Sequence, residues 1–419
     1  MNTDGILFEA DFPKEEYLAR YTKACQLMDA IGIDALLLSL GIHLRYLTGY
    51  RTPFWGDLQV LPLALIPRDK EKAPILILSR YSEYTAGTSW IEDIRFTQPD
   101  RPSPFNSPLE LVIDAVKAMG LDKGVIGMDI GSAVRDNMPY TAFEEIKQGL
   151  PGMKVVDAST VISPLRTIKS PAEIQVLQNA CYTSGVAWQA GLEALKAGMS
   201  EKELAAVICS AVLQTGEEAG LFRPWIIYMA AGQNMGVWCN VLAGNYKVQN
   251  GDLVLVDGGC TRKGYHCDFI RWGVIGEPSS EDNYLLETAI LANAACRQKI
   301  RAGVSCNEVQ GAGAEVFKNS SIDHEDWIVL GQAGHGVGLD VHEDPFITAG
   351  NETLLEPGMI ITVEPVIVKT SGGRFAKDPI KRYQGRAPDM MVVEDMVLVT
   401  ETGYELLTPL QPYAWRTLS

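Results

Sequence analysis

Leu253-Val254-Leu255-Val256-Asp257-Gly258-Gly259-Cys260-Thr261-Arg262-Lys263-Gly264-Tyr265-His266-Cys267-Asp268 is the stretch from which the rest of the chain is read. Four apolar residues end on a carboxylate and two glycines. Thr261-Arg262-Lys263-Gly264 has turn character, and residues 265–274 read as a second strand. With Arg262 and Lys263 as the hairpin tip, Asp257 falls directly opposite Asp268 on one face, their Cβ atoms about 4.5–5.5 Å apart. Like charges opposed in a sheet repel, so a cation between them is the economical explanation.

Three more residues downstream fit that cation. Gly334-His335-Gly336-Val337-Gly338 surrounds one imidazole with residues lacking Cβ, which permits close backbone approach to a metal or ligand. Glu364 ends an apolar strand and is followed by Pro365, which stops pairing. Glu394 lies within the strand pattern of residues 390–399, where an ionised group is costly unless paired or metal-bound. Four carboxylates and one imidazole suit divalent Mn, Co or Zn rather than a thiolate-held structural zinc. Two such ions about 3.5–4 Å apart are the usual way to activate water with this donor set. His342 follows in Val341-His342-Glu343-Asp344-Pro345, outside the ligand set but close to it.

Composition narrows the function classes. The chain has 419 residues, 47% of them hydrophobic and 21% charged, as in soluble globular proteins of two to three domains. Acidic residues outnumber basic ones 52 to 36, a net charge of −16, which disfavours nucleic acid and anionic membrane as partners. The N-terminus carries no basic-then-apolar signal pattern, and the apolar run at residues 60–66 is too short to span a bilayer. Eight cysteines without a Cys-x-x-Cys pair point to reduced, buried thiols in a cytoplasmic protein. Cys260, His266 and Cys267 match no common zinc spacing and read as core residues.

Residues 1–163 alternate strand and helix signals, with helices at 15–31 and 108–119 and strands at 35–39, 60–66, 75–78 and 124–128. No phosphate loop or Gly-x-Gly-x-x-Gly is present. Ser170-Pro171-Ala172-Glu173 and Ser200-Glu201-Lys202-Glu203 are capping boxes opening two helices. Strands dominate beyond residue 220, with helices near 283–302 and 307–318. The expected architecture is an α/β N-terminal domain (1–163) followed by an α+β domain (164–419), a curved antiparallel sheet covered by helices.

On these residues the chain resembles the Xaa-Pro dipeptidase (prolidase), aminopeptidase P and creatinase superfamily, whose C-terminal half is the pita-bread fold. His43-Leu44-Arg45-Tyr46-Leu47-Thr48-Gly49-Tyr50 is similar to its N-terminal-domain signature, and Arg166-Thr167-Ile168-Lys169-Ser170-Pro171-Ala172-Glu173-Ile174 to its domain junction. The ordered set Asp257, Asp268, His335, Glu364 and Glu394 is similar to its dinuclear metal ligands. The resemblance implies that Asp257 holds one metal, that Asp268 and Glu394 bridge two, and that His335 and Glu364 complete the second. It also implies that Glu364 handles the proton of the attacking water and that His342 steadies the substrate carbonyl. A homodimer is implied too, with the aromatic segment Tyr50-Arg51-Thr52-Pro53-Phe54-Trp55 as a lid over the neighbouring subunit's site. Manganese is the expected metal, with cobalt or zinc as alternatives, and the substrate is a dipeptide or other small molecule.

Three positions depart from the peptidase pattern. Gly232-Gln233-Asn234 leads to Trp238-Cys239 without the usual His, Ile270 stands where Thr is usual, and Val392 stands where Arg is usual. Trp55 and Trp238 are candidate substrate contacts. Between the two glutamates lie Lys369, Arg374, Lys377, Lys381, Arg382 and Arg386, from which Arg374 or Arg382 could grip a substrate carboxylate. The leading expectation is an Xaa-Pro-type dipeptidase using water activated by two metals. A creatinase-like hydrolase or a lyase acting on a non-peptide C–N or C–S compound is the second expectation, and a non-catalytic peptidase-like scaffold the third.

Overall fold

The computed structural model describes residues 9–52, 61–97, 109–131, 138–215, 228–231, 243–370, 390–409 and 413–417. The chain divides into two compact units, Met1–Arg166 and Thr167–Ser419.

In the first unit, six strands form one mixed sheet in the order Asp93–Thr97, Ile75–Ser79, Leu63–Pro67, Ala35–Leu38, Val125–Met128, Lys154–Asp157. Ala35–Leu38, Leu63–Pro67 and Ile75–Ser79 are buried at every position, which is why they read as unbroken apolar runs rather than as alternation. Helix Lys14–Ile31 stops at Gly32, whose φ of 73° an L side chain adopts only with strain. The 43–50 signature is largely helix Gly41–Thr48, and its polar residues are structural within this unit. His43 Nδ1 lies 2.7 Å from Asp129, Arg166 meets His43 Nε2 at 3.2 Å, and Arg45 is paired with Asp11.

In the second unit, Ser170 and Ser200 both cap their helices, Pro171–Ala194 and Glu201–Gln214, through complete capping boxes. Ser305 does the same for Cys306–Lys318, which packs against Ser280–Lys299. The strands form a four-stranded sheet (Tyr228–Ala231, Leu253–Asp257, Arg271–Ile275, Ala414–Thr417), a three-stranded sheet (Trp327–Val329, Val366–Lys369, Met390–Val392) and a five-stranded sheet (Glu343–Thr348, Gln332–Gly336, Ile360–Val363, Asp395–Val399, Tyr404–Leu406). Ala414–Thr417 pairs parallel to Arg271–Ile275, so the sheets are not wholly antiparallel as expected.

Two sequence expectations need correction. Arg262 pairs with Tyr265 and Val256 with Arg271, so the hairpin tip is Lys263-Gly264 and Asp257 stands opposite Ile270 rather than Asp268. The tip carries positive φ at both residues, 49° at Lys263 and 80° at Gly264, the geometry a two-residue turn needs to follow strand twist. A two-residue shift leaves side-chain parity intact, so Asp257 and Asp268 still share a face. Neither long strand is continuous: residues 267–270 separate Tyr265–His266 from Arg271–Ile275, and Val393 and Glu394 separate Met390–Val392 from Asp395–Val399.

Candidate metal centre

Each acidic residue of the proposed set sits at the end or the break of a strand. Val363 pairs with Asp395 in one sheet and Val366 with Val392 in another, in one continuous register. That register sets Glu364 opposite Glu394 where both chains cross from the five-stranded to the three-stranded sheet. Asn293 binds the two crossing points together, donating to the Val363 carbonyl at 2.7 Å and to that of Val393 at 3.3 Å. Arg271, fully buried, donates to the Glu394 carbonyl at 2.6 Å and to Asp395 at 2.8 Å. Asp395 also accepts from Thr408 and Tyr413.

Asp268, His335 and Glu394 are buried, and their ligand atoms lie within 4.8 Å of one another; this is the one such group among the described residues. Glu364 approaches His335 Nε2 to 3.2 Å, and Asp268 to 3.8 Å. His335 Nδ1 is 3.0 Å from the Gly336 carbonyl, which can only accept, so Nδ1 carries a proton and Nε2 faces the carboxylates. The His335 N–H donates to Thr362 Oγ1 at 3.0 Å, which fixes the ring's approach. The flanking glycines serve protein packing rather than ligand access: a Cβ at Gly334 would overlap the Thr362 carbonyl, and one at Gly336 the Asp344 carbonyl.

Charge explains the electrostatics of the cluster. Burial first, then the neighbouring Asp268 and Glu364 charges, push the Asp257 carboxyl well above its usual range. Burial and the same crowding push Glu394 up as well. Asp268 rises to about 7 through burial, with the His335 charge opposing and that of Glu364 adding to the shift. For His335, burial works against the cation, but Glu364 and Asp268 outweigh it and raise its pKa. The His342 ring lies against that of His335, with centroids 4.2 Å apart and the planes tilted by 47°. Burial, then the His335 charge, lowers its pKa to about 4, which leaves it neutral at neutral pH.

Buried Asp268 Oδ1 and Glu394 Oε1 have no hydrogen-bond partner. Uncompensated buried carboxylate oxygens are costly, and a divalent cation offsets that cost while keeping both groups ionised. The residues therefore fit a hard or borderline divalent metal.

Cys260, His266 and Cys267 belong to no group of three metal-capable side chains among the described residues. Lys369 pairs with Asp326 and Glu281, away from the carboxylates. Trp55, Trp238, Arg374 and Arg382 lie outside the described residues. Sequence reading overlooked Asp395 and Asn293. The first had a legible signal, since two adjacent acids, Glu394-Asp395, inside an apolar run require two separate partners.

Comparison with known proteins agrees with the fold. Metallopeptidase family M24 matches residues 175–401, and the creatinase/prolidase N-terminal domain matches residues 20–168. The Xaa-Pro dipeptidase of Pyrococcus furiosus is 25% identical over 391 residues, covering 93% of this chain and 97% of that protein. The probable dipeptidase PepE of Mycobacterium bovis is 28% identical over 394 residues, 94% of each chain. Among solved structures, dipeptidase PepE from Mycobacterium ulcerans aligns with a TM-score of 0.77 at 25% identity, covering 97% of this chain and 100% of the other. Prolidase from Thermococcus sibiricus gives 0.79 at 24%, covering 96% and 99%. The second unit has the family's pita-bread fold. Because the M24 match runs through more than half of the 419 residues, the chain belongs to metallopeptidase family M24 and is a metal-dependent hydrolase.

Proposed function

We propose that this peptidase cleaves Xaa-Pro dipeptides, with Asp257, Asp268, His335, Glu364 and Glu394 holding two divalent ions, manganese by preference, in a catalytic domain of residues 164–419. The observation that carries the reading is the pair of buried, unpartnered oxygens on Asp268 and Glu394 beside the His335–Glu364 contact. Relatives named Xaa-Pro dipeptidase in Pyrococcus furiosus and Lactobacillus helveticus, each aligned over at least 90% of this chain, support the substrate class. When bound, the two ions polarise the scissile carbonyl and make water nucleophilic at neutral pH.

The chain's own groups supply the rest. Glu364, less buried than His335 and Asp268, takes the proton of the attacking water on a carboxylate oxygen and passes it to the departing amine. His342, neutral, donates a hydrogen bond to the carbonyl oxygen as negative charge grows there. The protein acts as a homodimer in the cytoplasm; of the segment expected to close the partner's site, residues 53–55 lie outside the described residues. Among the described residues, no helix is long and apolar enough to cross a membrane.

A second reading keeps the site and changes the substrate to a small non-peptide C–N or C–S compound. It rests on Ile270 and Val392, which lie in one buried apolar cluster where the peptidase pattern has Thr and Arg. The M24 match and the buried carboxylates favour chemistry over a non-catalytic scaffold.

Manganese-, cobalt- and zinc-loaded protein should be assayed against Xaa-Pro dipeptides, dipeptides without proline, and small amides and guanidino compounds. Release of free proline several-fold faster than turnover of the other substrates is expected. Turnover of the small amides alone would select the second reading. The His342→Ala protein should keep its metal and lose about 10²-fold in kcat. Loss of metal in that variant would show that His342 is a ligand instead.

A further inference from the structure

Behind the carboxylates lies a group of sulfur atoms that peptide hydrolysis does not use. Cys181 Sγ, on helix Pro171–Ala194, is 3.5 Å from Cys267 Sγ and 3.6 Å from Met396 Sδ. Met396 Sδ in turn accepts the Asp268 backbone N–H at 3.1 Å. Both thiols are fully buried. Each side of the group is joined to a proposed ligand: Cys267 immediately precedes Asp268, and Met396 closely follows Glu394.

We infer that Cys181 and Cys267 are a site of disulfide formation, and that closing this bond withdraws Asp268 from the metal centre. The second half of the inference rests on the metal-site reading above. A disulfide needs its sulfurs about 2.05 Å apart, so a contact of 3.5 Å must close by about 1.5 Å. Cys181 sits midway along a capped helix of 24 residues, anchored by Leu177, Ala180, Ala187 and Trp188, all fully buried. Cys267 lies in the break between strands Tyr265–His266 and Arg271–Ile275. The movement therefore falls on the hairpin, and the next residue along it is Asp268.

With a peroxide as oxidant the step balances. One thiolate attacks a peroxide oxygen, the O–O bond breaks, and a sulfenic acid and one water result. The second thiol attacks the sulfenic sulfur, the S–S bond forms, the S–O bond breaks and a second water leaves. Two thiols lose two electrons, and one hydrogen peroxide becomes two waters. Full burial of both thiols makes this slow. Because the disulfide and the metal draw Asp268 to different positions, each weakens the other, and bound metal protects the thiols.

The test uses a Cys209→Ser background, which removes the one exposed thiol among the described residues. Metal-free and Mn(II)-loaded protein are treated with hydrogen peroxide, and peptides are mapped by mass spectrometry while Mn(II) affinity is measured by calorimetry. A cross-link joining the Cys181 and Cys267 peptides is expected, formed several-fold faster without Mn(II) and reversed by dithiothreitol. Mn(II) affinity should fall about 10–100-fold, the usual effect of disturbing a ligand's support. Cys181→Ala should keep its Mn(II) affinity through the same treatment. Two cysteines that stay reduced, or that end as sulfinic acids without a cross-link, would overturn the site. A cross-link with unchanged Mn(II) affinity would overturn the coupling. Failure of the untreated protein to bind Mn(II) would instead strike the metal reading, and the cross-link would still decide the thiol site.

Discussion

Asp268 concentrates the physics of this protein in one side chain. It is buried, one of its oxygens has no partner, and its pKa stands near 7. A carboxyl raised on folding contributes stability that is fully present below its unfolded value and lost as pH rises through the folded value. Asp257, Glu394 and His335 are shifted upward and act in the same direction. His342, lowered to about 4, acts in the opposite one, losing stability as pH falls from 6.5. Three carboxyls outweigh one imidazole, so metal-free protein should lose thermal stability between about pH 4 and pH 7, with His335 adding to the loss only above pH 6.5. Added Mn(II) should restore it most at the upper end. A melting temperature independent of pH in the metal-free protein would contradict this account. Asp257→Ala and Glu394→Ala should each retain far less metal after dialysis, by elemental analysis, with an unchanged far-UV spectrum.

At the scale of elements, the site depends on where strands stop. Glu364 and Glu394 face each other because two strands cross between sheets at the same point of one register. Arg271 holds that crossing through the Glu394 carbonyl and Asp395, with no exposed surface on either side chain. Removing one member of a buried pair leaves the other charge uncompensated, at a cost of about 3–5 kcal/mol. Arg271→Met should destabilise the protein by that amount in urea unfolding and weaken metal binding. Arg271→Lys should recover only part of it, since an ammonium cannot reach both acceptors in the fork geometry of a guanidinium. A small stability change in Arg271→Met, with metal affinity intact, would show that Arg297, Thr408 and Tyr413 suffice to hold Asp395.

For the whole molecule, a net charge of −16 keeps copies apart unless a specific interface forms. The proposed homodimer should appear as twice the mass of 45.8 kDa by light scattering at micromolar concentration. A monomer under those conditions would remove the idea that residues 50–55 close over a neighbouring site. It would leave the metal chemistry untouched, since every proposed ligand belongs to one unit, Thr167–Ser419.

Much of this protein was legible in its sequence wherever the deciding interactions are local. Capping boxes at Ser170 and Ser200 act within one helical turn, and both helices begin where those residues predict. Buried strands in the first unit showed as apolar runs because both faces of the sheet are covered. The acids and the histidine stood out because an ionisable group in an apolar or glycine-rich stretch demands a partner. Tertiary structure alone decided the hairpin register, since it turns on Lys263 adopting a positive φ that residues other than glycine seldom take. It alone decided which strands break at Glu394 and which partner Asp395 finds: Arg271 is 124 residues away in sequence. The contact between Cys181 and Cys267 spans 86 residues, and packing of a helix against a hairpin creates it. Such pairings follow from how whole elements meet, and no window of neighbouring residues contains that information.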